Sequence, residues 1–210
     1  MNKNTNKKSE KKIRSRNEIK ILDAAVLLFS KKGFDGTRFM EIAKASELPK
    51  ANVYYYFSSK NEIYERLIEN VIQGWDNAFE HINLDLEPAD AIDTYIGAKL
   101  DYARLNPIES RFFAHEMLRG GEFLTRKQRQ HIRDVTRKHE HVLESWILQG
   151  KIRDISPQHF FIMLWASTEF YANFTNVVEL TLEKRKLTKK DYDNARKTIV
   201  NSILNGCLKK

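Results

Sequence analysis

Apolar residues in this chain recur at spacings of three and four almost from end to end, a period that suits helices and not sheets. Ile21, Ala24, Ala25, Leu28 and Phe29 make one stripe, and Ile63, Leu67, Ile68, Val71, Ile72, Trp75, Phe79 and Ile82 a longer one. Ile132, Val135, His139, Val142, Leu143, Trp146 and Ile147 make a third, and Tyr192, Ala195, Ile199, Ile203 and Leu204 the last. Residues so spaced share one face of a helix. No run alternates with period two, so no strand is expected. Eight Gly and four Pro leave few turns in 210 residues. The fold class is all-α.

Breakers and caps divide the helices. The first runs from Asn17 to Gly33, where a glycine suits the turn past a helix end. Thr37 is the expected N-cap of a short second helix over 38–46. Pro49 can open a third, since a first-turn position needs no N–H. Ser59-Lys60-Asn61-Glu62 fits a capping box for the fourth. Residues 83–88 interrupt; helices are then expected over 89–105, 108–119 and 122–149. Ser156-Pro157 starts another, expected to continue to about Leu182, and the last spans about 188–208. The segment from Phe160 to Val178 is apolar nearly all round, so it must be covered on more than one side. One side can face the chain's own core and the other a second subunit, together with the final helix.

Charge is segregated. Residues 1–60 hold 14 Lys and Arg against 6 Asp and Glu, and the rest of the chain is balanced at 22 of each. The whole excess of +8 therefore sits at the N-terminal end, which reads as a polyanion-binding module on a neutral body. Residues 1–16 (MNKNTNKKSEKKIRSR) are polar enough to be a disordered basic arm. The divisions expected are an arm at 1–16, a basic polyanion-binding domain at 17–60 and a larger helical domain with a different task at 61–210. A single cysteine, Cys207, allows no intrachain disulfide and suits a cytoplasmic protein. No apolar leader opens the chain, and the apolar run 160–166 is too short to span a bilayer, so no membrane partner is expected.

Residues 17–64 resemble the TetR family of bacterial regulators. The match rests on Gly33-Phe34, Thr37-Arg38, Glu41-Ile42-Ala43, Ala45, the run from Lys50 to Phe57, Ser59-Lys60 and Ile63-Tyr64. It implies a three-helix helix-turn-helix unit with a short recognition helix. Small and polar residues must lead such a helix into the major groove. Lys50, Ala51 and Asn52 stand there: Asn can pair with adenine on two atoms, and Ala can touch a thymine methyl. Thr37, Tyr54, Tyr55 and Lys60 can donate to phosphates, with Arg38 beside them. Val53, Tyr56 and Phe57 are expected in the core. Two positions depart from the family, which often has Gly at 47 and Ser at 49, where this chain has Glu47 and Pro49.

The remainder resembles the pyrimidine-utilisation subgroup of the same family. Trp75, Tyr95-Ile96, Lys99-Leu100, Arg111, Glu116-Met117-Leu118, Gly150-Lys151 and Pro157-Gln158-His159 through Phe174 carry that likeness. It implies a flat polar ring such as uracil as effector. Without the family, Trp165, Thr168, Glu169 and Ala172 share a helix face. With Trp75 and Glu116 they could stack on a planar ligand and bond its edge. Trp75, Glu116, Trp165, Thr168 and Glu169 are the expected ligand residues, with core packing as the plain alternative for both tryptophans. The subgroup has Gln where Glu169 stands; an amide donates and accepts, a carboxylate only accepts.

No enzyme is expected. His131, His139 and His141, eight and two apart, make no shared-face metal pair, and neither a glycine-rich phosphate loop nor a G-x-S-x-G turn is present. No cofactor or metal is therefore expected. The function expected is a homodimeric, sequence-specific DNA-binding regulator, a repressor by expectation, on a pseudo-palindromic operator and under small-molecule control, dimerising through its last two helices. The alternative is a helical small-molecule-binding protein or enzyme with an incidental basic tail; affinity for duplex DNA separates the two.

Overall fold

The computed structural model describes residues 3–207, with side chains from Arg14 onward. Its described residues form ten helices: α1 (Lys3–Lys32), α2 (Phe39–Ala45), α3 (Lys50–Tyr56), α4 (Lys60–Phe79), α5 (Pro88–Leu105), α6 (Pro107–Leu118), α7 (Arg126–Leu148), α8 (Pro157–Asn173), α9 (Thr175–Thr181) and α10 (Lys189–Cys207). No strand occurs among them. The chain divides into two compact units, residues 1–70 with 115–124, and residues 71–114 with 125–210.

The all-helical expectation holds, and four boundaries move. Helix α1 begins at Lys3, not at Asn17, so the expected disordered arm is helical where its backbone is described. Lys, Glu and Arg lose little rotamer freedom in a helix, and the apolar stripe downstream supplies the nucleus they extend. Met1, Asn2 and the side chains before Arg14 lie outside the described residues, as does Leu208. Gly33, at φ +71°, ends α1 as expected, and its N–H bonds the Phe29 carbonyl.

Helix α2 is capped by Arg38, not Thr37: the Arg38 N–H donates to the Glu41 carboxylate at 2.9 Å. Helix α7 starts late, at Thr125. Its hydroxyl accepts from Gln128 N–H, and Gln128 accepts from Thr125 N–H, a capping box written as T-x-x-Q. The apolar run expected as one helix to Leu182 breaks at Phe174 into α8 and α9. No Pro or Gly marks the break. The Arg111 guanidinium donates to the Ala172 carbonyl at 3.1 Å, and the Thr175 hydroxyl bonds the Tyr171 and Ala172 carbonyls, so the groups freed by the kink stay satisfied.

In the first unit, Ile21, Ala25 and Phe29 of α1 pack with Ile42, Val53, Phe57 and Ile63. In the second, α5 is the central element, packed against both α8 and α10, and α7 also packs on α8. Its core joins Tyr95, Ile96, Trp146, Phe161, Leu164 and Ile203. Gly97 lets the Arg196 side chain of α10 lie on the α5 backbone: a Cβ there would meet the guanidinium at 2.7 Å. Arg196 forks onto Asp93 at 2.8 and 2.9 Å. Both partners are partly exposed, so the pair adds under about 1 kcal/mol and chiefly sets register. Cys207 is buried, and its carbonyl accepts from Arg153 N–H.

Two leucines five residues apart on α7 should behave oppositely. Leu143 has no exposed surface, whereas Leu148 is 89% exposed. Leu143→Ala is expected to cost about 2–5 kcal/mol by cavity formation, and Leu148→Ala less than about 0.5 kcal/mol, measured by urea unfolding.

Candidate nucleic-acid interface and effector site

Helix α3 is seven residues long and sorts its side chains sharply. Val53 has no exposed surface and Phe57, just past the helix, is 2% exposed; both fill the three-helix core. Lys50, Ala51, Asn52, Tyr54 and Tyr55 face solvent. The Tyr54 ring stacks on Phe39 of α2 at 4.4 Å, with the Lys50 ammonium 5.6 Å from its centre. Tyr55 is 71% exposed, edge-on to Tyr56, with the Arg14 guanidinium 5.9 Å away. The Asn17 amide donates to the Tyr56 hydroxyl at 3.2 Å. The two exposed tyrosines are thus held by rings on one side and open on the other.

Thr37 and Lys60, expected as phosphate donors, face inward instead. Thr37 is 1% exposed, and its hydroxyl donates to the Gly33 carbonyl at 2.8 Å. The Lys60 ammonium donates to the Phe34 and Thr37 carbonyls at 2.7 and 3.0 Å and sits 4.0 Å from the Phe34 ring centre. Helix ends leave carbonyls without partners, and these two side chains supply them. Arg38 stays exposed beside them.

Glu47, in the turn before α3, has φ +57°. A side chain in that left-handed region costs roughly 1–2 kcal/mol, which explains why Gly suits the position. Pro49 sits at the N-cap of α3 with no side-chain cap, so the α3 start lacks the capping hydroxyl that serine would bring.

Glu116, expected near the ligand, has both carboxylate oxygens engaged inside the first unit. Oε2 accepts from the Tyr64 hydroxyl at 3.0 Å and Oε1 from Phe123 N–H at 2.7 Å. Tyr64 and Phe123 join Phe34 in one ring cluster. Burial and the adjacent Glu116 carboxylate raise the Tyr64 pKa, which keeps its proton on the bond.

The second unit brings Trp75, Trp165 and Glu169 to one place around Lys99, a residue outside the expected ligand set. Lys99 is 3% exposed, and its ammonium donates to Glu169 Oε1 at 2.8 Å. It also lies 4.4 Å from the Trp75 ring centre. Burial lowers the Lys99 pKa; the Glu169 charge and hydrogen bond oppose that shift. Trp75, Trp165 and Glu169 are half-buried. The Trp165 indole N–H donates to the Tyr95 hydroxyl at 2.9 Å, and the ring stacks on Phe161 at 6.2 Å. Thr168 is fully buried, and its hydroxyl turns back to the Leu164 carbonyl at 2.8 Å. Behind them, His139 stacks on Phe79 at 4.6 Å and bonds the Val135 carbonyl through Nδ1. A lysine at a helix position flanked by Ile96 and Leu100 was the available signal for this charge, because it falls on the buried face of α5.

A short basic three-helix unit that offers small and polar side chains from its third helix, joined to a larger helical unit holding an aromatic and charged cluster, defines a ligand-responsive DNA-binding regulator. Residues 21–67 match the bacterial regulatory proteins of the tetR family, and residues 68–210 match the family described as YcdC-like protein, C-terminal region. The chain belongs to the TetR family, and it is a helix-turn-helix transcriptional regulator with a ligand-binding C-terminal domain. It is 33% identical over 187 residues to the HTH-type transcriptional regulator RutR of Escherichia coli K12, covering 87% of this chain and 88% of that one. The ketosteroid transcriptional regulator KstR2 of Mycobacterium tuberculosis has the same fold (TM-score 0.70, 16% identity, 92% of this chain and 95% of that one). So does AibR, solved with isovaleryl coenzyme A and operator DNA (TM-score 0.64, 17% identity, 89% of this chain and 97% of that one). No described helix is long and apolar enough to cross a membrane.

His139 makes stability pH-dependent. Burial lowers its pKa from the ordinary value near 6.5, so the unfolded chain takes up the proton first as pH falls. Stability from this group is full above pH about 6.5 and is lost below it. Urea midpoints should therefore fall more steeply from pH 7 to 5 in the wild type than in His139→Gln.

Proposed function

We propose that the chain is a cytoplasmic, homodimeric repressor that reads a pseudo-palindromic operator with α3 and releases it when a small planar molecule occupies the site around Trp75, Lys99, Trp165 and Glu169. The observation that carries the DNA half is the sorting of α3: Val53 is buried, while Lys50, Ala51, Asn52, Tyr54 and Tyr55 face outward at the basic end of the chain. Asn52 reads a base, Ala51 makes an apolar base contact, and Lys50, Tyr54, Tyr55 and Arg38 hold phosphates. Thr37 and Lys60 act indirectly, by fixing the turn that aims α2. Two such helices about 34 Å apart meet successive major grooves of one duplex face.

Dimerisation follows from α8 and α9. Ile162, Met163, Ala166, Phe170 and Phe174 of α8 and its end, with Val177 of α9, leave an exposed apolar stripe. A second copy, meeting it with α8 and α10, would remove it from water. The effector site takes a flat ring against Trp75 and Trp165, and the likeness to the pyrimidine-utilisation subgroup supports pyrimidines as the ligand class. Helix α4 is one unbroken helix that carries Lys60 near its start and Trp75 near its end, so a ligand favouring one setting of α4 biases the other.

Fluorescence anisotropy against duplexes selected from a random pool tests the DNA half. Log affinity should fall linearly with log salt, with a slope of about −0.9 for each phosphate contact. Asn52→Ala should lose about 1–3 kcal/mol of discrimination at one base pair while non-specific affinity holds; equal loss on every sequence would remove Asn52 from base reading. Phe170→Glu should turn a dimer into a monomer in sedimentation. For the effector half, a ligand at 100 times its Kd should stabilise the wild type by about 2.7 kcal/mol, and Trp165→Ala should abolish the shift.

A further inference from the structure

The edge chemistry of the effector can be taken further, given the effector-site reading above. Four polar side chains surround the place, and two are already committed. The Trp165 N–H is taken by the Tyr95 hydroxyl, and the Thr168 hydroxyl by its own helix. Trp165 therefore offers its ring face only, and Trp75 meets Lys99 through its ring. The charged groups left for a ligand's edge are the Lys99 ammonium and the Glu169 carboxylate. Lys99 has three N–H groups; one reaches Glu169 Oε1 and the ring of Trp75 covers another direction. Glu169 Oε2 accepts from no described group, and the Glu169 side chain is 28% exposed, against 3% for Lys99.

A charged pair at this depth is not needed to join α5 to α8, which already meet through Tyr95, Ile96, Phe161 and Leu164. A buried ion pair seldom gains over an apolar one, because desolvation opposes the attraction. It does impose a pattern: a fixed cation beside a fixed acceptor-only group. We propose that this pair selects an amino-oxo heterocycle, whose edge places N–H donors against Glu169 and a carbonyl or ring-nitrogen acceptor against Lys99, over an imide ring with carbonyls on both sides of its N–H. An imide N–H can go to the carboxylate, but one of its flanking carbonyls then faces the second carboxylate oxygen, acceptor against acceptor; the other ring N–H of uracil, beside a C–H, avoids that clash but brings one donor and not two. An exocyclic amino group in that place replaces the repulsion with a charge-assisted hydrogen bond. Sites built to bond a particular edge reject the analogue that leaves a buried group unpaired.

The test is calorimetry of the full-length protein with isocytosine, cytosine and uracil, repeated on Glu169→Gln and Lys99→Met. Each variant is checked by circular dichroism and by non-specific DNA affinity, which reads folding without using this site. Wild type should bind isocytosine or cytosine at least about tenfold more tightly than uracil. Glu169→Gln, which restores an amide that donates and accepts, should reverse that order, and Lys99→Met should weaken all three. Uracil binding as tightly as the amino-oxo bases, or an order unchanged in Glu169→Gln, overturns the proposal, as does a wild type that binds none of the three. Loss of specific operator binding would instead strike the regulator reading, and an effector response that survives Trp165→Ala would strike the effector-site reading.

Discussion

Water-exposed apolar surface on a helix must be covered, and α8 carries more of it than one neighbour can hide. Phe160, Phe161, Leu164, Thr168 and Ala172 turn inward and are buried. That inner face sets α5 against it, and α5 in turn holds α10 across Gly97. The core of the second unit is the consequence: large rings from α4, α5, α7 and α8 meet at Phe79, Tyr95, Trp146 and Phe161. Ring pairs in offset and edge-on geometries contribute beyond their area, and their rigid shapes leave few alternative packings. The outer face of α8, with Ile162, Met163 and Phe170, is left exposed.

The same packing explains why an ammonium can live at position 99. Lys99 sits on the buried face of α5 between Ile96 and Ala103, so its charge has no water to turn to. The carboxylate of Glu169 and the face of Trp75 replace that water. Lys99 is thereby fixed in place, and Glu169, the more exposed partner, is fixed with it.

In the first unit a different economy operates. The helix-turn-helix is small, so nearly every polar side chain close to a helix end is used to hold the turn. Thr37, Lys60 and Glu41 bond backbone groups of α1, its following turn and α2. That leaves α3 to present Lys50, Ala51, Asn52, Tyr54 and Tyr55, and the stacking of Tyr54 on Phe39 keeps its ring from closing over the helix. The chain passes between the units within α4, within α6 and just before α7. Glu116 and Phe123 tie residues 115–124 to Tyr64, so that segment belongs with the DNA-binding unit although most of α6 and all of α7 do not.

Periodicity, breakers and charge were enough to read all-helical architecture, most helix boundaries and a basic DNA-facing end, because these depend on local spacing. The inward and outward sides of α3 were legible for the same reason, as was the gathering of Trp75, Trp165 and Glu169. Local signals also existed for the α7 start, in Thr125 and Gln128. What they could not decide was where a long polar side chain ends. Lys60 and Thr37 look like phosphate donors on a helical wheel, yet the Gly33, Phe34 and Thr37 carbonyls in the turn after α1 claim them. Glu116 looks like a pocket residue, yet Tyr64 and Phe123 hold it. The kink at Phe174 has no breaker because Arg111, more than sixty residues earlier, satisfies the carbonyl it frees. The pairing of Lys99 with Glu169 joins residues seventy apart. Each of these outcomes is set by which partner lies within about 3 Å, and only the packed chain determines that.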